Sequence, residues 1–244
     1  MGMFNPDDIR QLAPTGRLRG GVVLAPERSA FFVIKDASNT LRGVTVDLLR
    51  GFADALKLPL QLHIYQNSGQ LTDALAHADR DIAFMPQDAM RAKKVDFGPA
   101  YCLIESTYLV PAGSSIKSIE EINRPGVRIV AIANTTTMRS ACRTAPQAHV
   151  EEVASVERMI DMARNGEGDA FALSQDSFAM LLSGLPGARV LPGHFQQTGI
   201  GVAVPKGRPA ALKLASELLQ EAKASGAVRR ALDAAGFRDT GVAP

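Results

Sequence analysis

An α/β fold is predicted for this chain on three observations. Strand-like and helix-like stretches alternate along it, its longer helical stretches are amphipathic, and no run of about 18 apolar residues interrupts them. Gly21-Val22-Val23-Leu24 reads as a short buried strand. Phe31 to Ile34, followed by the turn Asp36 to Asn39, suggests a hairpin-like excursion. Val44 to Leu56 places Val44, Leu48, Phe52 and Leu56 on one stripe and is expected to be a helix. Leu60 to Tyr65 alternates as a strand does, Leu71 to Ala78 is a short helix, and Asp81 to Met85 is the next strand. A strand at Ser106 to Val110 follows, then a short helix at Ile116 to Ile122 ended by Arg124-Pro125-Gly126. The series continues with strand Val127 to Ala133, helix Thr136 to Thr144, helix Val153 to Asn165, strand Ala170 to Leu173 and helix Gln175 to Leu182. Strand Gly199 to Val204 precedes helices Pro209 to Ala224 and Ala227 to Ala235, which Ser225-Gly226 separates.

The length, 244 residues, suits one large domain or two lobes of ordinary size. No repeat of 20–50 residues and no low-complexity linker divides the chain. Two lobes would therefore have to be joined through their strands. The net charge is +2 and the basic residues are scattered, which argues against a nucleic-acid arm or a membrane-surface patch. Trp is absent, which weakens any binding scheme based on stacking of bases. Cys102 and Cys142 form no CxxC pair, and with four dispersed histidines they spell no metal site. Two buried thiols are expected, and a disulfide between them stays open. No cofactor motif is present. Met1 to Arg10 is polar and lacks the apolar stretch of an export signal, which leaves open a removed leader or a cytoplasmic protein.

Three ordered stretches carry a family likeness. The first is Leu41-Arg42-Gly43-Val44-Thr45-Val46-Asp47-Leu48-Leu49. The second is Asp81-Ile82-Ala83-Phe84-Met85 with Arg91, Val95-Asp96-Phe97 and Pro99-Ala100-Tyr101. The third is Asp169-Ala170-Phe171-Ala172 with Gly201 to Gly207. In order and spacing the set resembles the amino-acid-type periplasmic solute-binding proteins of ABC importers, the type 2 periplasmic binding proteins. The resemblance implies a two-lobed α/β fold in which the second lobe is inserted in the first through two crossover strands. By analogy the crossings lie near Cys102–Ser106 and Gln197–Gly201, with lobe 1 at residues 1–103 and 200–244 and lobe 2 at residues 104–199. It further implies that a small carboxylate-bearing solute, an amino acid or an organic acid, binds in the cleft between lobes for delivery to an ABC permease. A periplasmic monomer without enzymatic activity is expected.

Arg91 is the leading candidate. It stands six residues before Phe97, where the family's carboxylate-gripping Arg stands. A planar guanidinium offers two parallel donors that match a carboxylate. Read alone, an Arg beside Lys93 and Lys94 is an ordinary surface charge. If the guanidinium is unpaired without ligand, its removal should leave ligand-free stability unchanged or raised. The second candidate is Asn134-Thr135-Thr136 at a predicted strand-to-helix turn. Unpaired N–H groups and a positive partial charge suit an anion there. The family has Gly where Asn134 stands, but Asn tolerates a left-handed turn; the bland alternative is that Thr135 or Thr136 is an ordinary helix cap.

Phe84, Met85 and Pro86 replace the small polar residues usual after this strand, and Pro86 removes a donor, so a less polar pocket is expected. Ser29, Phe31 and Phe32, with Glu27, map to the stretch that covers the ligand's side chain in the family; core packing is the alternative for the aromatics. The acid that meets a ligand ammonium in the family maps to Ser174, with Asp176 two residues further on. Asp176 would equally suit a helix start. Asp47 is read as the cap of the helix after it. Two other functions stay open: a cytoplasmic ligand-sensing module, and a cyclohexadienyl dehydratase-like enzyme with Glu27 or Glu105 as its acid or base.

Overall fold

In a computed structural model of the chain, residues 4–24 and 30–244 are described, with the backbone alone at 176 and 179–181. In chain order the elements are α1 (Pro6–Leu12), β1 (Leu18–Val23), β2 (Ile34–Lys35), β3 (Leu41–Arg42), α2 (Val44–Leu56), β4 (Leu60–Tyr65), α3 (Ser68–Ala76), β5 (Ile82–Pro86) and α4 (Ala89–Ala92). There follow β6 (Val95–Val110), β7 (Arg128–Ile132), α5 (Thr136–Thr144), β8 (His149–Val153), α6 (Val156–Arg164), β9 (Ala170–Ser174) and α7 (Phe178–Gly184). The series ends with β10 (Arg189–Val190), β11 (Gln196–Pro205), α8 (Pro209–Ala224) and α9 (Ala227–Ala234). The chain separates into two compact units. Unit 1 comprises Met1–Leu103 and Gly199–Pro244, and unit 2 comprises Ile104–Thr198. Strands β6 and β11 each pass from one unit into the other.

Unit 1 orders its strands β4-β1-β5-β11. Strand β1 runs parallel to both β4 and β5, and β11 runs antiparallel to β5. Parallel neighbours require crossover connections, and α2 and α3 supply them. Helix α2 buries Val44, Leu48, Leu49, Phe52 and Leu56, the stripe its sequence predicts. Gly43 precedes it at φ +134°, where a Cβ would lie 2.4 Å from the Phe32 carbonyl oxygen, so only glycine fits. The cap is thus glycine, and Asp47 lies inside the first turn, paired with Arg50, not at the cap as expected. The interior of the unit is partly aromatic. Phe84 packs edge-on against Phe52 and Tyr101, and Phe31 stacks on Tyr101 and meets Phe237 edge-on.

Unit 2 orders its strands β6-β9-β7-β8, with β10 also on β6. Strand β7 is parallel to β8 and β9, and β6 is antiparallel to β9 with Ser106 opposite Ser174. Successive side chains point to opposite faces. Tyr108 and Ile129 therefore join one core cluster, while Leu109 and Val130 join the other. Tyr108 stacks on Phe195 at 4.4 Å between ring centroids, and burial pushes its phenol pKa up to about 12.

Each unit also carries an Arg–Asp clasp between neighbouring parallel strands. In unit 1, the Arg19 backbone N–H and Nε donate to Asp81 Oδ2 at 3.0 and 3.1 Å, and Nη2 donates to Oδ1 at 2.6 Å. The Asp81 N–H returns a bond to the Arg19 carbonyl at 2.8 Å. In unit 2, the Arg128 N–H donates to Asp169 Oδ2 at 2.8 Å and the Asp169 N–H returns to the Arg128 carbonyl at 2.9 Å. Here the guanidinium lies further off, with Nε 3.5 Å from Oδ2.

Several elements differ from expectation. Strand β6 is 16 residues long, where only Ser106 to Val110 was expected, because Gly98-Pro99 reads as punctuation in the sequence. The helix expected from Val153 begins at Val156, since Ser155 caps it and His149–Val153 forms β8. The stretch Ile116 to Ile122 is helical only as a single 3-10 turn at Glu120–Ile122. Helix α1 was not anticipated, although Asn5 caps it with a bond from the Asp7 N–H and Pro6 opens it. Cys102 is buried but Cys142 is exposed on α5, and no disulfide joins them.

Candidate functional site

Arg91 lies on the single turn of α4, and three segments of unit 1 converge on its guanidinium. The side chain is only 5% exposed, although it sits beside two exposed lysines. Its Nη1 donates to the Pro86 carbonyl at the end of β5 at 2.9 Å, and its Nη2 donates to Ser68 Oγ at the start of α3 at 2.8 Å. Asp88 supplies the third contact, with Oδ2 3.3 Å from Nη1. The other oxygen of Asp88 caps α4, accepting from the N–H groups of Met90 and Arg91 at 2.8 and 2.9 Å. The guanidinium is therefore paired, which removes the premise for expecting unchanged ligand-free stability on its removal.

Pro86 takes part through its carbonyl, an acceptor that proline keeps. Next to it, the Gln87 N–H donates to the Gly199 carbonyl at 2.9 Å and Gln87 Nε2 donates to the Gly98 carbonyl at 2.8 Å. A Cβ on Gly201 would come within 2.3 Å of that amide nitrogen, so the side chain lies flat on bare backbone. Gly98 is on β6 and Gly201 on β11, the two strands that pass between units.

In unit 2, Asn134 takes the left-handed conformation at φ +61°. Thr135 caps α5, accepting from the Met138 N–H at 3.1 Å and donating to the Ile132 carbonyl at 2.7 Å. Thr136 is buried as the first helical residue. Thr137 Oγ1 lies 3.0 Å from Ser106 Oγ, a hydroxyl pair that joins α5 to β6. Ser174 ends β9 opposite Ser106, with its Oγ 3.5 Å from Ser177 Oγ. The backbone of Asp176 lies in the following 3-10 turn. Glu105 binds Gln175 Nε2 at 2.9 Å and Gln197 Nε2 at 2.8 Å, with His194 Nδ1 at 3.3 Å.

Three sequence candidates are corrected. Phe31, Phe84 and Met85 are at most 1% exposed, and the neighbours they pack against belong to unit 1. They are core residues: Phe84 and Met85 lie on β5 inside the unit, and Phe31, in the turn before β2, packs its ring on Tyr101 and Phe237. Phe32 is half-buried, edge-on to Phe31. Ser29 and Glu27 lie outside the described residues. Sequence reasoning missed Ser68, which stands 23 residues from Arg91 with no local signal. It also missed Asp88 as an ion partner, although an Asp three residues before an Arg at a helix start is a readable pattern. A groove of about 450 Å³ lies between α2, α8 and α9, lined by Asp47, Leu48, Phe52, Leu218 and Arg230, and holds none of the candidate residues.

The model of the bacterial extracellular solute-binding proteins, family 3, matches residues 22–234. The ABC transporter glutamine-binding protein GlnH of Bacillus subtilis is 28% identical over 156 residues. That match covers 61% of this chain and 54% of the relative, so the chain spans about half the length of the curated protein it matches. Among solved structures, the solute receptor for L-cysteine of Neisseria gonorrhoeae superposes with a TM-score of 0.77 at 18% identity, covering 93% of this chain and 92% of that one. An ancestral amino-acid-binding protein described as a precursor of cyclohexadienyl dehydratase gives 0.75 at 22% identity, covering 93% and 97%. These likenesses establish the α/β periplasmic-binding-protein fold. With most of its length matched by the family model, the chain belongs to the bacterial extracellular solute-binding proteins, family 3.

Proposed function

We propose that the protein is the solute receptor of an ABC importer, working outside the cytoplasmic membrane, and that it holds a small carboxylate-bearing solute without transforming it. The observation that carries this reading is Arg91, a buried guanidinium held by Pro86, Ser68 and Asp88 in a chain of the solute-binding family. Arginine is kept in such a place where a planar, two-pronged cation is useful. The turn at Asn134-Thr135-Thr136 supports the same chemistry from unit 2, since α5 begins there and a helix start favours an anion.

The two donors are unequal. A helix terminus contributes roughly 0.3–1 kcal/mol toward an exposed anion. A hydrogen bond to a charged partner contributes about 1.5–3 kcal/mol. Of the two, Arg91 should therefore contribute more to affinity. By the family likeness, Ser174 stands at the position of the acid that meets a ligand ammonium, and it offers a hydroxyl there.

A thermal-shift screen of amino acids and organic acids tests the proposal. A ligand at 100 times its dissociation constant adds about 2.7 kcal/mol. A protein of this size should then melt several degrees higher, roughly 2–4 °C for each kcal/mol. If no carboxylate raises the melting temperature while a neutral solute does, the carboxylate reading is wrong.

A further inference from the structure

Resting on the Arg91 reading above, we propose that Asp88 is a specificity-determining residue: a built-in carboxylate that competes with the solute's own carboxylate for Arg91 and so favours zwitterions over plain anions. Its two oxygens do different work. Oδ1 accepts from the N–H groups of Met90 and Arg91 and forms the helix cap. A cap needs one acceptor, which Asn or Ser supplies about as well as Asp and Thr somewhat less well. A neutral acceptor could therefore form the cap, while the second oxygen of the carboxylate faces Arg91, 3.3 Å from Nη1.

Both side chains are mostly shielded, Asp88 at 12% exposure and Arg91 at 5%, so water screens the pair poorly. Taken together the pair is neutral. A solute carboxylate that reaches Arg91 places two acids around one guanidinium, and like charges brought together are penalised. A solute that carries its own ammonium group adds no net charge and meets less of that penalty. Rejection of the wrong solute thus comes from a repulsive element in unit 1 as well as from an attractive one. Removing the charge while keeping the cap should relax it.

The test uses the full chain and two variants, Asp88→Asn and Asp88→Thr, each of which keeps a capping acceptor. Calorimetry is run on the twenty common amino acids and on the matching carboxylates that lack the α-ammonium. Both variants should bind the deaminated carboxylates about ten-fold more tightly or better, with amino-acid affinities changing less, as expected when a like-charge contact is removed. Equal shifts for the two classes, or none, would assign Asp88 to capping alone and overturn the inference. Arg91→Ala, run alongside, separates the two levels. If it binds as tightly as the parent, the Arg91 reading itself falls; if it loses binding while the Asp88 variants do not discriminate, only the role of Asp88 falls.

Discussion

In unit 1, Arg19 and Asp81 exchange backbone and side-chain bonds across two parallel strands; in unit 2, Arg128 and Asp169 repeat the backbone part of that pattern. Their surroundings differ. The Asp81 side chain is 0% exposed and grips a guanidinium through both oxygens. The Asp169 side chain is 40% exposed, and its guanidinium stands off at 3.5 Å. The Asp81 contact also raises the Arg19 pKa, chiefly through the side-chain hydrogen bond, against an opposing effect of burial. The same residue pair therefore makes the same local connection twice and stabilises the two units unequally, because water competes for one clasp and hardly for the other. The Arg91–Asp88 pair is a third Arg–Asp pair, buried like the first and proposed to serve ligand binding.

The largest expected effect is at the buried clasp. Asp81→Ala leaves Arg19 without its carboxylate partner and should cost about 3–5 kcal/mol of stability. Denaturant unfolding of the ligand-free protein measures this, and a loss under about 1 kcal/mol would mean that burial does not set the difference.

Next comes Arg91→Ala. It should weaken carboxylate binding by about 2–5 kcal/mol, read by calorimetry. Because Pro86, Ser68 and Asp88 each lose a contact with the guanidinium, ligand-free stability should fall as well. Arg91→Lys should restore only part of the binding, since an ammonium cannot reproduce the planar fork.

Asp169→Ala should cost no more than about 1 kcal/mol, because the exposed pair is screened. That loss should shrink further in 1 M salt, while the Asp81→Ala loss should persist. Equal losses at the two positions would break the comparison.

The smallest effect concerns the solvent-facing turn before β3, where Asp36 lies beside Arg42. Its pKa is lowered to about 2, first by the Ser38 hydroxyl, then by the Thr40 N–H, with Arg42 contributing less. The folded-state value lies below the unfolded one. The contribution of Asp36 to stability is thus complete above the usual aspartate range and is lost as pH falls through about 2. A carboxyl titration by NMR should show that midpoint, moving toward the ordinary aspartate value in Ser38→Ala and moving less in Arg42→Ala.

Much of this molecule was legible in its residues. The period of Val44 to Leu56 specified a helix and its buried stripe, because a side chain every 3.6 residues has one way to hide. The family likeness around Arg91 and Phe97 nominated Arg91, and the tolerance of Asn for a left-handed turn anticipated the φ of Asn134. Local chemistry is enough for the helix stripe and the Asn134 turn, since both are set by residues a few positions apart. Tertiary structure decided the rest. It took Phe31, Phe84 and Met85 into the core of unit 1, which no hydrophobicity pattern distinguishes from lining a pocket. It joined Gly98-Pro99 into a 16-residue strand despite its breaker composition. It brought Ser68 to Arg91 from 23 residues away. It also buried Asp81 and left Asp169 in water, although both precede a strand and both pair with an arginine. Burial is a property of everything packed around a residue, and in a folded chain most of those neighbours come from distant sequence.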